Sequence, residues 1–203
     1  MVTVYSAPNT RAIRVIWVLE EIGARAEIKS MPYPPRKHAP DYFVVNPTGM
    51  VPLLIDGEVR LSESMAICDY LATKHGSPLV VPPNDPERPQ FLQWLWYGES
   101  TLMTPLSRLN IVRQGEREGG SEVDAIIAGA LGHVAERLEM LEQRLEGRDF
   151  LVAGRLTLAD ISVSYPLHLV GMLGLETLLG PRSVAYHERL RARPAHQRAI
   201  AAA

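Results

Sequence analysis

The chain has 203 residues, of which 46% are hydrophobic and 22% charged, and its formal net charge is -2 at pH 7. These values are typical of a globular protein with one large domain or two small ones. They argue against a nucleic-acid-binding protein, because no block of Lys and Arg is dense enough to neutralise many phosphates. We also expect no membrane segment and no secretory leader, because the sequence shows neither a long apolar run nor a leader pattern.

The cysteine content limits the redox chemistry of the chain. Cys68 is the only cysteine in the sequence, which excludes an internal disulfide and a Cys-x-x-Cys redox pair. We therefore expect a protein of the reducing cytoplasm. Cys68 lies within a helical pattern, so we interpret it as a buried structural thiol and not as a nucleophile. No metal site is expected.

Residues 1–76 alternate between strand-like and helix-like segments. Residues 2–5 are β-prone, and a second short strand is predicted over residues 26–30. Between them, apolar residues recur at i, i+3, i+4 and i+7, which predicts an amphipathic helix that ends at Gly23. A right-handed crossover through this helix would make the two strands parallel. Four prolines between residues 32 and 40 predict a long irregular connection.

A hairpin and a third helix follow this connection. Asp56-Gly57 is flanked by two strand-like segments, residues 53–55 and 58–61, and predicts a two-residue type I′ turn between antiparallel strands. After the hairpin, Ile67, Tyr70, Leu71 and Lys74 share one helix face, and Gly76 ends the pattern. The predicted order is β-α-β, a connection, then β-β-α.

The rest of the chain is predicted to be helical. Residues 77–89 contain five prolines and form a predicted linker. Between residues 127 and 145, apolar residues are spaced 4-3-4-3-4, which predicts a long helix packed along one seam. Residues 114–120 are rich in Gly and charge and are predicted to form a loop.

Two motifs carry a resemblance to a known family. Residues 46–54 read NPTGMVPLL, and after the hairpin residues 63–71 read ESMAICDYL. Further along, Thr157 and Asp160 have the spacing of an N-terminal capping box. In this order the motifs resemble those of soluble glutathione transferases of a Ser/Cys-type or atypical class, over essentially the whole chain.

The resemblance implies a fold and a reaction. It implies a thioredoxin-like α/β domain over residues 1–76 that binds glutathione, the linker, and an all-α domain over residues 90–203 that binds the electrophile. Glutathione would be the cosubstrate, its thiol would attack a small apolar electrophile, and the protein would be a homodimer. Two alternatives stay open: a glutathione-dependent peroxidase or disulfide reductase, and a non-catalytic module for protein association.

The same resemblance assigns glutathione contacts. Val51 is expected to pair with the cysteinyl backbone of glutathione through a cis Val51-Pro52 bond, as an added β-strand. Glu63 would bind the γ-glutamyl ammonium group, and Ser64, at a helix N-terminus, its carboxylate. Lys37 and His38 either bind the glycyl carboxylate or are solvated loop charges. Met50 stands where many relatives have Lys, so one carboxylate contact is expected to be missing.

The residue that activates the thiol is not fixed by the sequence. Counting back from Arg14-Val15, as in relatives with a catalytic serine, gives Asn9, which has no hydroxyl. Asn9, Thr10 and Ser6 are each candidate donors to the thiolate, and Arg11 could add positive charge. Helix capping is an equally good interpretation of Asn9 or Thr10.

The electrophile pocket is expected in the helical half. Its candidate lining residues are Trp94, Tyr97, Leu102, Met103 and Leu106. A row of aromatic and apolar side chains along a helix is more often part of the hydrophobic core. Both interpretations, pocket lining and core, therefore stay open.

Overall fold

The structure, a computed structural model, describes residues 2–114 and 121–202 of the chain. These residues form two compact units. The first contains the residues up to Val80 together with those from Arg191 onward, and the second is Val81–Leu190.

The first unit is built on a four-stranded sheet. Its elements are β1 (Val2–Ser6), α1 (Ala12–Ile22), β2 (Ala26–Ser30), α2 (Pro35–His38), α3 (Tyr42–Val45), β3 (Leu53–Asp56), β4 (Val59–Leu61) and α4 (Ser64–Lys74). The strand order is β2-β1-β3-β4. β1 pairs in parallel with β2 and antiparallel with β3, and β3 pairs antiparallel with β4. This is the thioredoxin-like arrangement that the sequence predicts.

Helix α1 forms the centre of the first unit. Its residues from Ala12 to Leu19 are all buried, and it packs against β1 and α4. Gly23 ends the helix in the left-handed conformation, with φ of 66°, as the sequence indicates. An Arg lies inside this buried stretch, at position 14, and is itself 0% exposed.

The hairpin differs by one residue from its prediction. Asp56 pairs with Val59 in the β3–β4 ladder, so the two turn residues are Gly57 and Glu58 and not Asp56 and Gly57. Within the turn only Gly57 has a positive φ, 63°, whereas a type I′ turn requires a positive φ at both positions. Gly at the first position is the signature of a type II′ turn, so the predicted type I′ turn is wrong.

The second unit is helical. Its elements are α5 (Arg88–Trp96), a π-helical segment (Tyr97–Leu102), α6 (Met103–Gln114), α7 (Ser121–Arg144), α8 (Leu158–Met172), a 3-10 turn (Glu176–Leu178) and α9 (Pro181–Arg191). Residues 77–87, in the predicted linker, contain no helix or strand. Of the predicted loop, Gln114 is the last residue of α6, and residues 115–120 lie outside the described residues. Among the helices that the structure describes, none has the length and apolar character needed to cross a membrane.

The apolar seam of α7 is buried towards its C-terminal end. Val134, Leu138 and Leu141 are at most 1% exposed, and Leu145, just beyond the helix, is 3% exposed. The same unit contains the predicted capping box. Thr157 accepts the Ala159 N–H, and Asp160 Oδ2 accepts the Thr157 N–H at 2.8 Å.

The last helix, α10 (Pro194–Ala202), belongs to the first unit and packs against α1. Arg193, just before it, makes a bidentate ion pair with Glu21 at 2.7 and 2.8 Å. The His196 ring lies edge-on to Trp17, with centroids 4.7 Å apart. The sequence predicts these residues as part of the helical domain, because a helical pattern does not indicate which partner the helix packs on.

Candidate functional site

The turn between β1 and α1 contains the candidate activating residues. Ser6 is fully buried in β1 and Thr10 is 7% exposed. The Thr10 hydroxyl donates to the Ala7 carbonyl at 2.7 Å and accepts from the Ala12 N–H at 3.4 Å, so its one proton is already in use. Asn9 is exposed and has a φ of 57°, a conformation that Asn tolerates better than most residues. Arg11 is half-buried. Asn9 is thus the most accessible of the three donors.

The start of β3 lies at the same end of the sheet. Tyr5 pairs with Leu53, which places the residues before β3 beside those that follow β1. The Val51–Pro52 peptide bond is cis, as the resemblance implies. Among the described residues, the backbone N–H and carbonyl of Val51 have no hydrogen-bond partner, so both groups are available to an extended ligand.

Side chains hold this segment in place. The Met50 carbonyl accepts from the Tyr42 hydroxyl at 2.9 Å and from the Asn46 Nδ2 at 2.8 Å. The Asn46 Oδ1 in turn accepts from the Thr48 N–H and hydroxyl. Burial raises the pKa of Tyr42, so its hydroxyl stays protonated and keeps donating. The Met50 main chain is therefore fixed, although its side chain is 50% exposed.

The third segment is the start of α4. Glu63 is exposed and has φ of 69° and ψ of 106°, a strained conformation of the kind that is found mainly at ligand sites and switches. Ser64, the first residue of α4, is 3% exposed, and its Oγ accepts from Arg14 Nη1 at 3.1 Å. Arg14 lies in the first turn of α1, so this bond joins the starts of the two helices.

Lys37, His38 and Cys68 have contrasting environments. Lys37 and His38 are exposed on α2, which leaves both the ligand interpretation and the solvated one open. Cys68 lies one turn after Ser64 and is fully buried. Burial raises the pKa of its thiol to about 12, against the opposing effect of the Arg14 charge. The thiol is therefore neutral at physiological pH, as expected for a structural cysteine.

The five candidates for the electrophile pocket are all buried in the second unit. Trp94, Tyr97, Leu102, Met103 and Leu106 are each at most 6% exposed. Trp94 and Tyr97 pack with ring centroids 4.6 Å apart, and the Tyr97 hydroxyl donates to the Arg137 carbonyl at 2.8 Å. As placed, these side chains are core residues, and their role in a pocket stays a prediction. A cavity of about 320 Å³ in this unit has other lining residues: Leu145, Gly147, Arg148 and Asp149, together with Arg182, Ala185 and Arg189 of α9.

Three residues that contribute to the arrangement were not identified from the sequence. In the sequence, Arg14 is used only to locate the candidate catalytic position. A charged residue inside an otherwise apolar helix nevertheless indicates a buried polar contact. Tyr42 and Asn46 each donate a hydrogen bond to the Met50 carbonyl, eight and four residues further along the chain. A bond from a side chain to a backbone carbonyl leaves no recognisable pattern in a single sequence. No group of three or more His, Cys, Asp or Glu within residues 2–114 and 121–202 is arranged to hold a metal ion.

Comparison with known proteins gives matches to one family in both halves of the chain. The model of the glutathione S-transferase N-terminal domain matches residues 1–73, and that of the C-terminal domain matches residues 103–194. The probable glutathione S-transferase GSTF2 of Oryza sativa subsp. japonica is 30% identical over 191 residues, which are 91% of this chain and 88% of the rice protein.

Solved structures give the same result. The crystal structure of a glutathione transferase from Methylococcus capsulatus str. Bath has a TM-score of 0.85 and 30% identity, over 100% of this chain and 98% of that one. A sphingomonad glutathione S-transferase complexed with glutathione has a TM-score of 0.83 and 26% identity, over 98% of both chains.

Proposed function

The chain belongs to the soluble glutathione S-transferase family, a family of enzymes, and from this premise we propose that its first unit binds glutathione and activates the thiol for attack on a small apolar electrophile. One observation carries the proposal. Around the start of α1, the first unit brings together the Val51 backbone, an accessible amide at Asn9, and a hydroxyl at the start of α4. Glutathione offers an extended peptide, a thiol and an amino-acid head group, and each has a suitable partner here.

The peptide part of glutathione binds to Val51. The unpaired N–H and carbonyl of this residue form two hydrogen bonds with the cysteinyl backbone, in the manner of an added strand. Tyr42 and Asn46 fix the neighbouring Met50 carbonyl, so little further ordering is needed on binding, which favours affinity.

The γ-glutamyl head group binds at Glu63 and Ser64. The exposed carboxylate of Glu63 accepts from the ammonium group. The Ser64 hydroxyl and the N–H groups in the first turn of α4, which have no partner within the helix, donate to the carboxylate. Lys37 and His38 add positive charge for the glycyl carboxylate.

Asn9 activates the thiol. A free thiol with a pKa of about 8.5 is only a few per cent ionised at neutral pH, and the thiolate is the nucleophile. The Asn9 amide donates a hydrogen bond to the sulfur, which favours the anion, and the Arg11 charge adds to the effect. The thiol proton leaves to water, the sulfur forms a bond to the electrophilic carbon, and the leaving group departs with its electron pair.

The protein works as a symmetric homodimer. Each unit exposes apolar side chains that a partner would cover. On the first unit Phe43, Val44 and Met50 are 42, 89 and 50% exposed, and on α5 Leu92 and Trp96 are 37 and 55% exposed. Exposed apolar patches of this kind are typical of subunit interfaces.

The head-group contacts are tested by calorimetric titration of glutathione into the parent, Glu63→Ala and Ser64→Ala. We expect each substitution to weaken binding by about 10- to 100-fold, because each removes a hydrogen bond to a charged group. Glu58→Ala, which removes an exposed acid from the hairpin turn, is the matched control and should bind as the parent does. Parent-like affinity in both head-group variants would refute this assignment.

The reaction is tested by product analysis with aryl halides, hydroperoxides and mixed disulfides. Conjugation of an aryl halide at the highest kcat/KM supports the proposal. Faster turnover of hydroperoxides or disulfides would make the protein a glutathione-dependent reductase. No turnover of any of the three, together with a stable heterologous partner, would identify it as an association module.

A further inference from the structure

Arg14 is a buried charge at the centre of the first unit. Its side chain is 0% exposed, and its Nη1 donates to the Ser64 Oγ at 3.1 Å, across a separation of 50 residues in the chain. Taking a guanidinium group out of water is costly, so a buried Arg is retained only where its contacts offset the cost. A Leu or Met at this position would avoid this cost. The presence of Arg14 therefore needs an explanation that depends on its charge or its hydrogen bonds.

The direction of the Arg14–Ser64 bond decides what Ser64 can do. A guanidinium group has only donors, so the Ser64 oxygen must be the acceptor. The hydroxyl proton of Ser64 is then free to donate to a different group. Since Ser64 is the first residue of α4, this proton lies beside backbone N–H groups that also have no acceptor within the helix. The result is a set of donors with positive charge behind it, which suits a carboxylate.

Cys68 is a second polar group near Arg14. Cys68 is close enough to be affected by Arg14, but burial keeps its thiol protonated. A neutral thiol gains little from a buried cation, so an ion pair with Cys68 is not the function of Arg14.

We propose that Arg14 is a positioning residue that fixes the Ser64 hydroxyl as a donor and strengthens its bond to the α-carboxylate of the γ-glutamyl group. The inference rests on the proposed function, since it requires glutathione to bind with its head group at Ser64. The Arg14 guanidinium does not itself contact the ligand. It polarises the Ser64 hydroxyl, because an oxygen that accepts from a cation becomes a better donor.

The test compares two ligands. One is glutathione, and the other is 4-aminobutyryl-cysteinyl-glycine, which keeps the amine, the thiol and the glycyl carboxylate but lacks the α-carboxylate. The ratio of their dissociation constants, measured by calorimetry, defines the carboxylate discrimination of each variant. A merely structural role of Arg14 would weaken both ligands equally and leave this ratio unchanged.

The variants are Ser64→Ala, Arg14→Met, Arg14→Lys and the double variant Arg14→Met/Ser64→Ala. We expect Ser64→Ala and Arg14→Met each to reduce the discrimination by about tenfold, and the double variant to reduce it no further than Ser64→Ala alone. Arg25→Met, which removes an exposed Arg from the same unit, should keep the parent value. If Arg14→Met does not fold, Arg14→Lys retains the cation but loses the reach to Ser64, and should reduce the discrimination by about threefold.

Two results would overturn the inference, and they differ from each other. If the parent binds glutathione with a clear preference over the analogue and the Arg14 variants keep that preference, Arg14 has only a structural role while the proposed function stands. If the parent binds neither ligand, both the inference and the proposed function fail.

Discussion

Burial decides the chemistry of individual side chains in this protein. Cys68 is the only thiol, yet it is fully buried and its pKa is raised to about 12. Asn9, with no ionisable group at all, is exposed at the end of β1. A reactive protein thiol is partly exposed and lies in an electropositive environment, and Cys68 meets only the second condition.

Cys68 should therefore be inert in the folded protein. At pH 8, a thiol with a pKa of about 12 is about one part in ten thousand ionised. We expect no modification by a chromogenic disulfide reagent within an hour and complete modification in denaturant. Cys68→Ala should leave glutathione turnover unchanged. Rapid stoichiometric labelling of the native protein would contradict this.

Candidate residues that belong to a local motif can be proposed from the sequence, whereas contacts between distant positions cannot. Glu63 and Ser64 could be singled out because an acid and a hydroxyl precede a helix within a motif. The contact of Ser64 with Arg14 spans 50 residues, and no periodicity encodes it. The bond that occupies the Thr10 hydroxyl could not be predicted for a similar reason: only the folded backbone brings the Ala7 carbonyl to this hydroxyl.

Helix α9 has its N-terminus capped by a residue from another helix. The Glu142 carboxylate accepts from the N–H groups of Arg182 and Ser183 and from the Ser183 hydroxyl, at 2.8 to 2.9 Å. Gly180 permits this approach, because a Cβ there would lie 2.4 Å from the Glu142 Cδ. Burial raises the pKa of Glu142, but the hydrogen bonds and the Arg182 charge outweigh this effect and hold the pKa below its ordinary value.

This cap predicts a pH dependence of stability. A carboxyl with a lowered pKa in the folded state contributes stability that is present above its unfolded pKa and is lost as the pH falls through the folded value. We expect Glu142→Gln to lower the free energy of unfolding by about 1 to 3 kcal/mol at neutral pH. The difference from the parent should shrink between about pH 5 and about pH 3. Denaturant titrations over this range measure it.

The control for this prediction is Glu139→Gln, an exposed acid on the same helix. Its difference from the parent should be small at every pH. A Glu142→Gln penalty that stays constant as the pH falls would show that the cap does not depend on the charge.

The capping box of α8 predicts a large loss of stability. Asp160 is fully buried and accepts four hydrogen bonds, from the Leu151 and Thr157 N–H groups and from the Thr157 and Tyr186 hydroxyls. Asp160→Ala would leave these donors buried without an acceptor, at a cost of about 3 kcal/mol or more. Thermal and denaturant unfolding should show the loss, while Glu188→Ala, at an exposed position on α9, should behave as the parent. An unchanged melting curve for Asp160→Ala would refute the structural role.

The hairpin illustrates how far local sequence specifies an element. The sequence predicted both strands and the two-residue loop. The one-residue shift arises because cross-strand pairing extends to Asp56, whose carboxylate also accepts from the Tyr70 hydroxyl and from Lys74. These contacts with α4 therefore hold Asp56 in β3. Turn propensities reflect only neighbouring residues in the sequence and do not account for such contacts.

For the whole chain, the sequence predicted the family and the order of the main elements, but not the short helices α2 and α3, which lie in and just after the connection predicted as irregular. Alternating strand and helix patterns predict the α/β half, and the helical patterns that follow predict the all-α half, because apolar periodicity reflects which face each element buries. The placement of α10 was not predictable in this way. Its docking on α1 depends on the pairs Arg193–Glu21 and His196–Trp17, which join positions at opposite ends of the sequence.

The proposed homodimer predicts that a charge introduced into the exposed apolar surface would disrupt subunit association. A Glu in place of Val44, which is 89% exposed, would cost little in a monomer but would be buried in an interface at a penalty of several kcal/mol. We expect Val44→Glu to lower the sedimentation coefficient from that of a dimer to that of a monomer. The substitution should leave the melting profile of the monomer itself unchanged. Val184→Glu, at an exposed apolar position on α9, is the control. A parent protein that sediments as a monomer would contradict the homodimer.

We propose that this protein ionises the glutathione thiol, and the thiol pKa of bound glutathione tests this most directly. Ultraviolet titration of the thiolate with saturating protein would be repeated with Asn9→Ala, Thr10→Ala and Ser6→Ala. We predict a thiol pKa well below the free value of about 8.5 in the parent, restored towards that value by Asn9→Ala alone. Saturable binding with an unshifted thiol pKa in the parent would contradict the claim.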